Sequence, residues 1–159
     1  MRTAIHNASF DMPDSRLTVN LAPADIPKDS SGLDLPIAVG ILASCGYVDK
    51  NACEKSMFVA ELSLEGNLRP VTGVISITAL AKKLKMNSVY VSVDNVAEAL
   101  LIDGIDVYGV LTLADLVLHL NGIKVLNPIS RTNAAHFAQQ FESDFSEIKG
   151  QQVAKRALE

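Results

Sequence analysis

Cysteine is scarce in this 159-residue chain, and the two thiols, Cys45 and Cys53, stand in no CxxC or other ligand-like spacing. With Cys45 inside an apolar helical pattern, where a buried thiol is common, they fit a reducing, cytoplasmic setting. Positive charge is scarce as well. A formal net charge of -4 and a pI near 5.3 leave no basic footprint for phosphates, which excludes a free-standing nucleic-acid binder. Long apolar runs are missing: none approaches the ~18 residues that span a bilayer, and Met1–His6 lacks the apolar centre of a signal peptide. No membrane partner is expected. Clustered metal ligands are missing too, because His6, His119, His136, Cys45 and Cys53 fall in unrelated segments. A phosphate loop also fails. Gly104 and Gly109 have the glycine spacing alone, and Val110 and Leu111 stand where Lys and Ser or Thr are required.

What is present is an ordinary globular composition, 48% hydrophobic and 20% charged, enough for one core. Residues 2–8 suit a short helix that starts abruptly, without a capping residue. Arg16–Leu21 alternates at the strand period, and a loop rich in Pro, Ser and Asp follows up to Asp34. Asp34 is placed to cap a helix over Leu35–Cys45 that is apolar nearly all round, with Pro36 tolerated in its first turn, so this helix should lie centrally. Met57–Leu64 predicts a strand, with a turn at Glu65–Asn67 returning through Leu68–Val71 as a hairpin. Val74, Ile77, Leu80, Ala81 and Leu84 recur at helical spacing, ending in Lys82, Lys83 and Lys85, where the helix dipole favours cations. The chain then alternates: strand Ser88–Val93, helix Val96–Ile102, strand Ile105–Tyr108 and helix Leu113–Leu120, capped by Thr112 and stopped by Gly122. That order predicts an α/β domain. Beyond Pro128 the composition turns polar, so packing is expected to end near there. A linker is expected over residues 122–143, and the last ten residues read as a helix cut short.

Few residues offer chemistry. Lys28, Ser30 and Ser31 are candidates for nucleophilic catalysis, although Ser and Lys near Gly also describe any solvated loop. His119, among leucines and valines, reads as a packed or surface histidine rather than a ligand or base. No aromatics interleave with Lys82, Lys83 and Lys85, so they read as a solvated helix end.

Longer motifs carry a resemblance. Arg16–Lys28 (RLTVNLAPADIPK), Asp34–Leu42 (DLPIAVGIL) and Ala60–Gly73 (AELSLEGNLRPVTG) closely resemble the N-terminal domain of the ComM/YifB family of Mg-chelatase-like AAA+ proteins. Asp94–Asn95, Ala97–Ala99 and Asn121–Gly122 continue the likeness. Asp144–Gln151 with Ala154–Glu159 looks like the entrance to that family's AAA+ module. The resemblance implies a Lon-protease-domain-like fold of the ribosomal protein S5 domain 2 type, a mixed sheet with helices. It implies a Lon-like domain over residues 1–121 lacking its own start, a linker at 122–143, and the first residues of a truncated ATPase module at 144–159.

The Lon serine stands in a DGPSAG motif, and the matching run Asp34–Val39 puts Ile37 there; the Lon lysine follows a P-x-GGL turn, and Pro70–Val74 leads to Ile75. Aliphatic side chains neither attack a carbonyl nor take a proton, so the resemblance implies a silent protease domain whose old site has become core packing. It implies an intact protein that is an ATP- and Mg2+-dependent, hexameric DNA branch-migration helicase of natural transformation, with Ile148, Gly150 and Gln151 near the adenine. Two alternatives stand beside it. One is a residual Lon-like serine peptidase using Ser30 or Ser31, since Pro27–Ser31 echoes the Lon register one loop earlier. The other is an ATPase component of a metal-chelatase system.

Overall fold

The structure, a computed structural model, describes residues 1–12, 17–21, 31–130 and Arg156, with the side chain of Ser31 left aside. It is an α/β fold built on a three-stranded parallel sheet. The elements run α1 (Arg2–Asn7), α2 (Asp34–Ser44), α3 (Lys50–Cys53), β1 (Ser56–Val59), β2 (Glu61–Leu62), β3 (Leu68–Arg69), α4 (Val74–Lys83), β4 (Ser88–Ser92), α5 (Val96–Ala99), β5 (Asp106–Val110) and α6 (Leu113–Leu120). The parallel sheet has the order β1-β4-β5, and β2 and β3 form a separate antiparallel pair.

The register explains how the sheet is buried. Phe58, Tyr90 and Tyr108 are cross-strand partners, as are Val59 and Val91, and Val89 and Val107. Neighbouring strand residues point to opposite faces. One face therefore carries Phe58, Tyr90 and Val110 into a core built with Ile5, Leu35, Leu42, Leu113 and Leu116 from α1, α2 and α6. The other carries Val59, Val89, Val91 and Val107 against Val74, Val96, Ala99 and Leu100 of α4, α5 and the turn after α5. Covered on both sides, central β4 is buried at every position. Its polar residues are satisfied internally: Ser88 Oγ lies 3.0 Å from Ser56 Oγ, and Ser92 Oγ donates to the Leu68 carbonyl.

Four expectations change. Met57–Leu64 is two strands, because the Leu35 N–H donates to the Ala60 carbonyl and the chain leaves the parallel sheet there. Asp34 lies within α2, not before it, and its carboxylate accepts the Leu62 N–H instead of capping the helix. Of Arg16–Leu21, residues 17–21 form no strand, with Leu17, Val19 and Leu21 all exposed; Arg16 lies outside the described residues. Among the described residues no neighbouring strand completes a ladder with them. The start of the expected linker is fastened down: Leu126 packs on the first core, Ile129 on the second, and the Ile129 N–H donates to Val107 on the outer edge of β5 at 2.8 Å. The rest of that linker, from residue 131, lies outside the described residues.

The remaining helices follow their local signals. Thr112 Oγ1 accepts the Asp115 N–H at α6, and Gly122, with φ +70°, follows its C-terminus. Gly104, with φ +80°, lies in the bend that leads into β5, and Gly109 lies within that strand. No helix among the described residues is long and apolar enough to cross a membrane.

Candidate functional site

Ile37 and Ile75, the positions that the resemblance matches to the Lon serine and lysine, fall at the starts of α2 and α4. A 3-10 turn at Ser31–Leu33 feeds α2, and its first turn is held to the β1–β2 junction by Leu35 N–H to Ala60 O at 3.2 Å and Leu62 N–H to Asp34 Oδ2 at 3.3 Å. Leu35, Ala38 and Leu42 are fully buried beneath it. Ile37 is half-buried and packs against the same core.

The entry to α4 is shaped by a residue in another element. Asn95, nearly buried just before α5, accepts the Val71 N–H and donates to the Val71 carbonyl, each at 2.9 Å, so one side-chain amide satisfies both polar groups of that peptide position. Gly73 then takes φ +80°, a left-handed conformation that favours glycine, and α4 begins. Glu98 Oε1 accepts the Ile75 N–H at 3.0 Å, which places a carboxylate at the positive end of the helix. Val74 is fully buried, while Ile75 is 37% exposed. The expectation that both old positions became core packing is therefore corrected. Ile37 fits it in part, but Ile75 lies on the surface, because the neighbouring Val74 is the residue that turns inward.

Chemically, the α2 entry offers aliphatic side chains and the Asp34 carboxylate, and the α4 entry offers aliphatic side chains, the Asn95 amide and the Glu98 carboxylate, with both carboxylates engaged by backbone N–H groups. Ser30 lies outside the described residues, as do Lys28 and the nucleotide candidates Ile148, Gly150 and Gln151, and only the backbone of Ser31 is described. Among the described residues, no group of three or more His, Cys, Asp and Glu is placed to hold a metal ion. Cys45 and Cys53 are free and half-buried, and burial, with Asp49 nearby, pushes the Cys53 thiol above its usual range.

A second polar cluster went unread in the sequence. Phe58, Tyr90 and Tyr108 stack across the three strands with ring centroids 5.1 and 4.8 Å apart, and His119 tilts onto both tyrosines. The Leu126 N–H donates to His119 Nδ1 at 3.0 Å. The neutral ring therefore carries its proton on Nε2, 3.1 Å from the Tyr90 hydroxyl. Burial holds His119 below its ordinary pKa, with the Lys124 backbone pulling the other way, and burial raises both tyrosines. The histidine is thus packed, as its apolar helix implied, and joins the sheet to the segment leaving α6. Strand register, which places Tyr90 opposite Tyr108, was the signal for this cluster.

The family model described as "Subunit ChlI of Mg-chelatase" matches residues 1–95. The chain belongs to that family, and its relatives include ComM and YifB proteins. It is 42% identical to the competence protein ComM of Haemophilus influenzae over 161 aligned residues, covering 99% of this chain and 31% of the relative. The uncharacterized protein YifB of Escherichia coli is 36% identical over 159 residues, 100% of this chain and 31% of its own length. YifB of Salmonella typhimurium is 35% identical over 160 residues with the same coverage. The chain thus spans 31% of the length of these relatives.

Proposed function

We propose that this chain is a non-catalytic accessory domain of a ComM/YifB-type AAA+ motor. The whole protein would be a cytoplasmic, hexameric, ATP-dependent DNA branch-migration helicase used in natural transformation. The observation that carries the reading is the pair of helix entries, where Ile37 and Ile75 offer neither nucleophile nor base while the helices themselves are firmly placed. The Haemophilus influenzae relative is a competence protein by name, which supports the transformation role. On this reading ATP and Mg2+ belong to the module after the domain, whose entrance is residues 144–159, with Ile148, Gly150 and Gln151 near the adenine. The domain itself contributes no step of phosphoryl transfer, which requires a phosphate-cradling loop, a magnesium site and a residue that positions the nucleophile.

The family description favours a second reading, in which the whole protein drives metal insertion as a chelatase component. One experiment separates the two. ATP turnover is measured on the chain continued through its downstream module, with single-stranded DNA, with branched DNA, and with a porphyrin and Mg2+. The motor reading expects stimulation by branched DNA. Turnover indifferent to DNA, or stimulated only by porphyrin and metal, overturns it.

A further inference from the structure

The segment leaving α6 is fastened to the domain while part of it faces water. The exposed Lys124 reaches Asp115 Oδ1 through Nζ at 2.6 Å, and Leu126 packs on the first core. The backbone is fixed along its length: Ile123 N–H to Leu118 O at 2.9 Å, Leu126 N–H to His119 Nδ1 at 3.0 Å and Ile129 N–H to Val107 O at 2.8 Å. Gly109 provides the room, since a Cβ there would lie 3.2 Å from Ile129 Cδ1. Outward, the same residues hold Ile123 and Val125 at 72% exposure, beside a partly exposed Leu118 on α6. A solvated tether has no reason to fasten itself down while presenting two β-branched apolar side chains to water; a docking strip does.

We propose that Leu118, Ile123 and Val125 form the seat on which the module following this domain packs, through an apolar face of that module. This rests on the reading above in one respect only, that a folded module follows. Two observations favour this occupant over a second copy of the domain. The strip lies on the very segment that leads onward past residue 130, so a following module is tethered at an effective concentration on the order of millimolar. Most of the length of each relative also lies outside the matched region, which covers 31% of it.

The test is the rate at which a polar maleimide labels Val125→Cys, read by peptide mass mapping so that Cys45 and Cys53 are resolved separately. It is measured in the 159-residue chain and in the full-length protein. Labelling at least tenfold slower in the full-length protein is expected, with the rate restored by adding Ile123→Ser, which leaves the inward contacts in place. Equal rates in the two chains overturn the proposal. Slowing in the 159-residue chain that grows with its concentration overturns it in favour of a second copy. ATP turnover does not enter this readout. A shielded Val125→Cys in a protein that ignores DNA removes the motor and keeps the seat, and a DNA-stimulated protein with a freely labelled Val125→Cys does the reverse.

Discussion

Gly109→Ala tests the packing on the outer strand most sharply. The added Cβ would lie 2.6 Å from Val96 Cγ2, 3.2 Å from Ile129 Cδ1 and 3.5 Å from Val93 Cα. Val96 is buried and β-branched, so its χ1 is strongly held and its methyl gives way only at a cost. Overpacking of this kind costs about 1–3 kcal/mol. Against that, alanine narrows the unfolded ensemble and returns about 0.4–1 kcal/mol. The expected net loss is about 0.5–2 kcal/mol, read by urea denaturation as a lower midpoint with an unchanged slope. A double-mutant cycle identifies the cause: Gly109→Ala should cost less in a Val96→Ala background, where the nearest atom is gone. Amide exchange at Ile129 should also quicken. A Gly109→Ala protein as stable as the parent, or one whose loss is the same in both backgrounds, refutes the account of this edge.

Three further outcomes follow from single contacts. Asn95→Ala strips both partners from Val71 and should destabilise the domain by about 1–3 kcal/mol, with the turn before α4 the first to lose amide protection in hydrogen exchange. Thr112→Ala removes the α6 cap and should lower stability by about 1 kcal/mol in thermal unfolding. The folded state holds His119 below its unfolded pKa of about 6.5, so its contribution is fully present above that pH and declines as pH falls from there toward the lowered folded value. Tyr90, Tyr108, Asp115 and Lys124 surround this region. Of these, Asp115, held low first by Lys124 and then by Thr112, loses its own contribution only in the more acidic carboxylate range. Denaturation at pH 7.5 and 5.5 should show a drop that His119→Gln reduces, with faster exchange of the Leu126 amide at the lower pH.

Much of the fold was legible where the signal is local. Thr112 and Gly122 bound α6 as capping chemistry predicts, and the apolar sweep from Leu35 to Leu42 marked a central helix. What could not be read depends on distant partners. Alternation in residues 16–21 states which side chains share a face but not whether a strand lies alongside, and residues 17–21 form none. The break at Ala60 comes from α2, whose first N–H groups lie more than twenty residues earlier in the chain. At the candidate site, the motifs located both helix entries correctly, yet alignment gives a position and not a direction. Val74 faces the core and Ile75 faces water. The clamp by Asn95 and Glu98 joins segments more than twenty residues apart, so no spacing rule reveals it.

The loss of acyl-transfer chemistry proposed for the domain is tested directly by a fluorophosphonate probe for activated serines on the 159-residue chain. Labelling of the native chain should not exceed that of the heat-denatured chain. Stoichiometric labelling of the native chain alone, mapped to Ser30 or Ser31, would contradict the account and restore a peptidase.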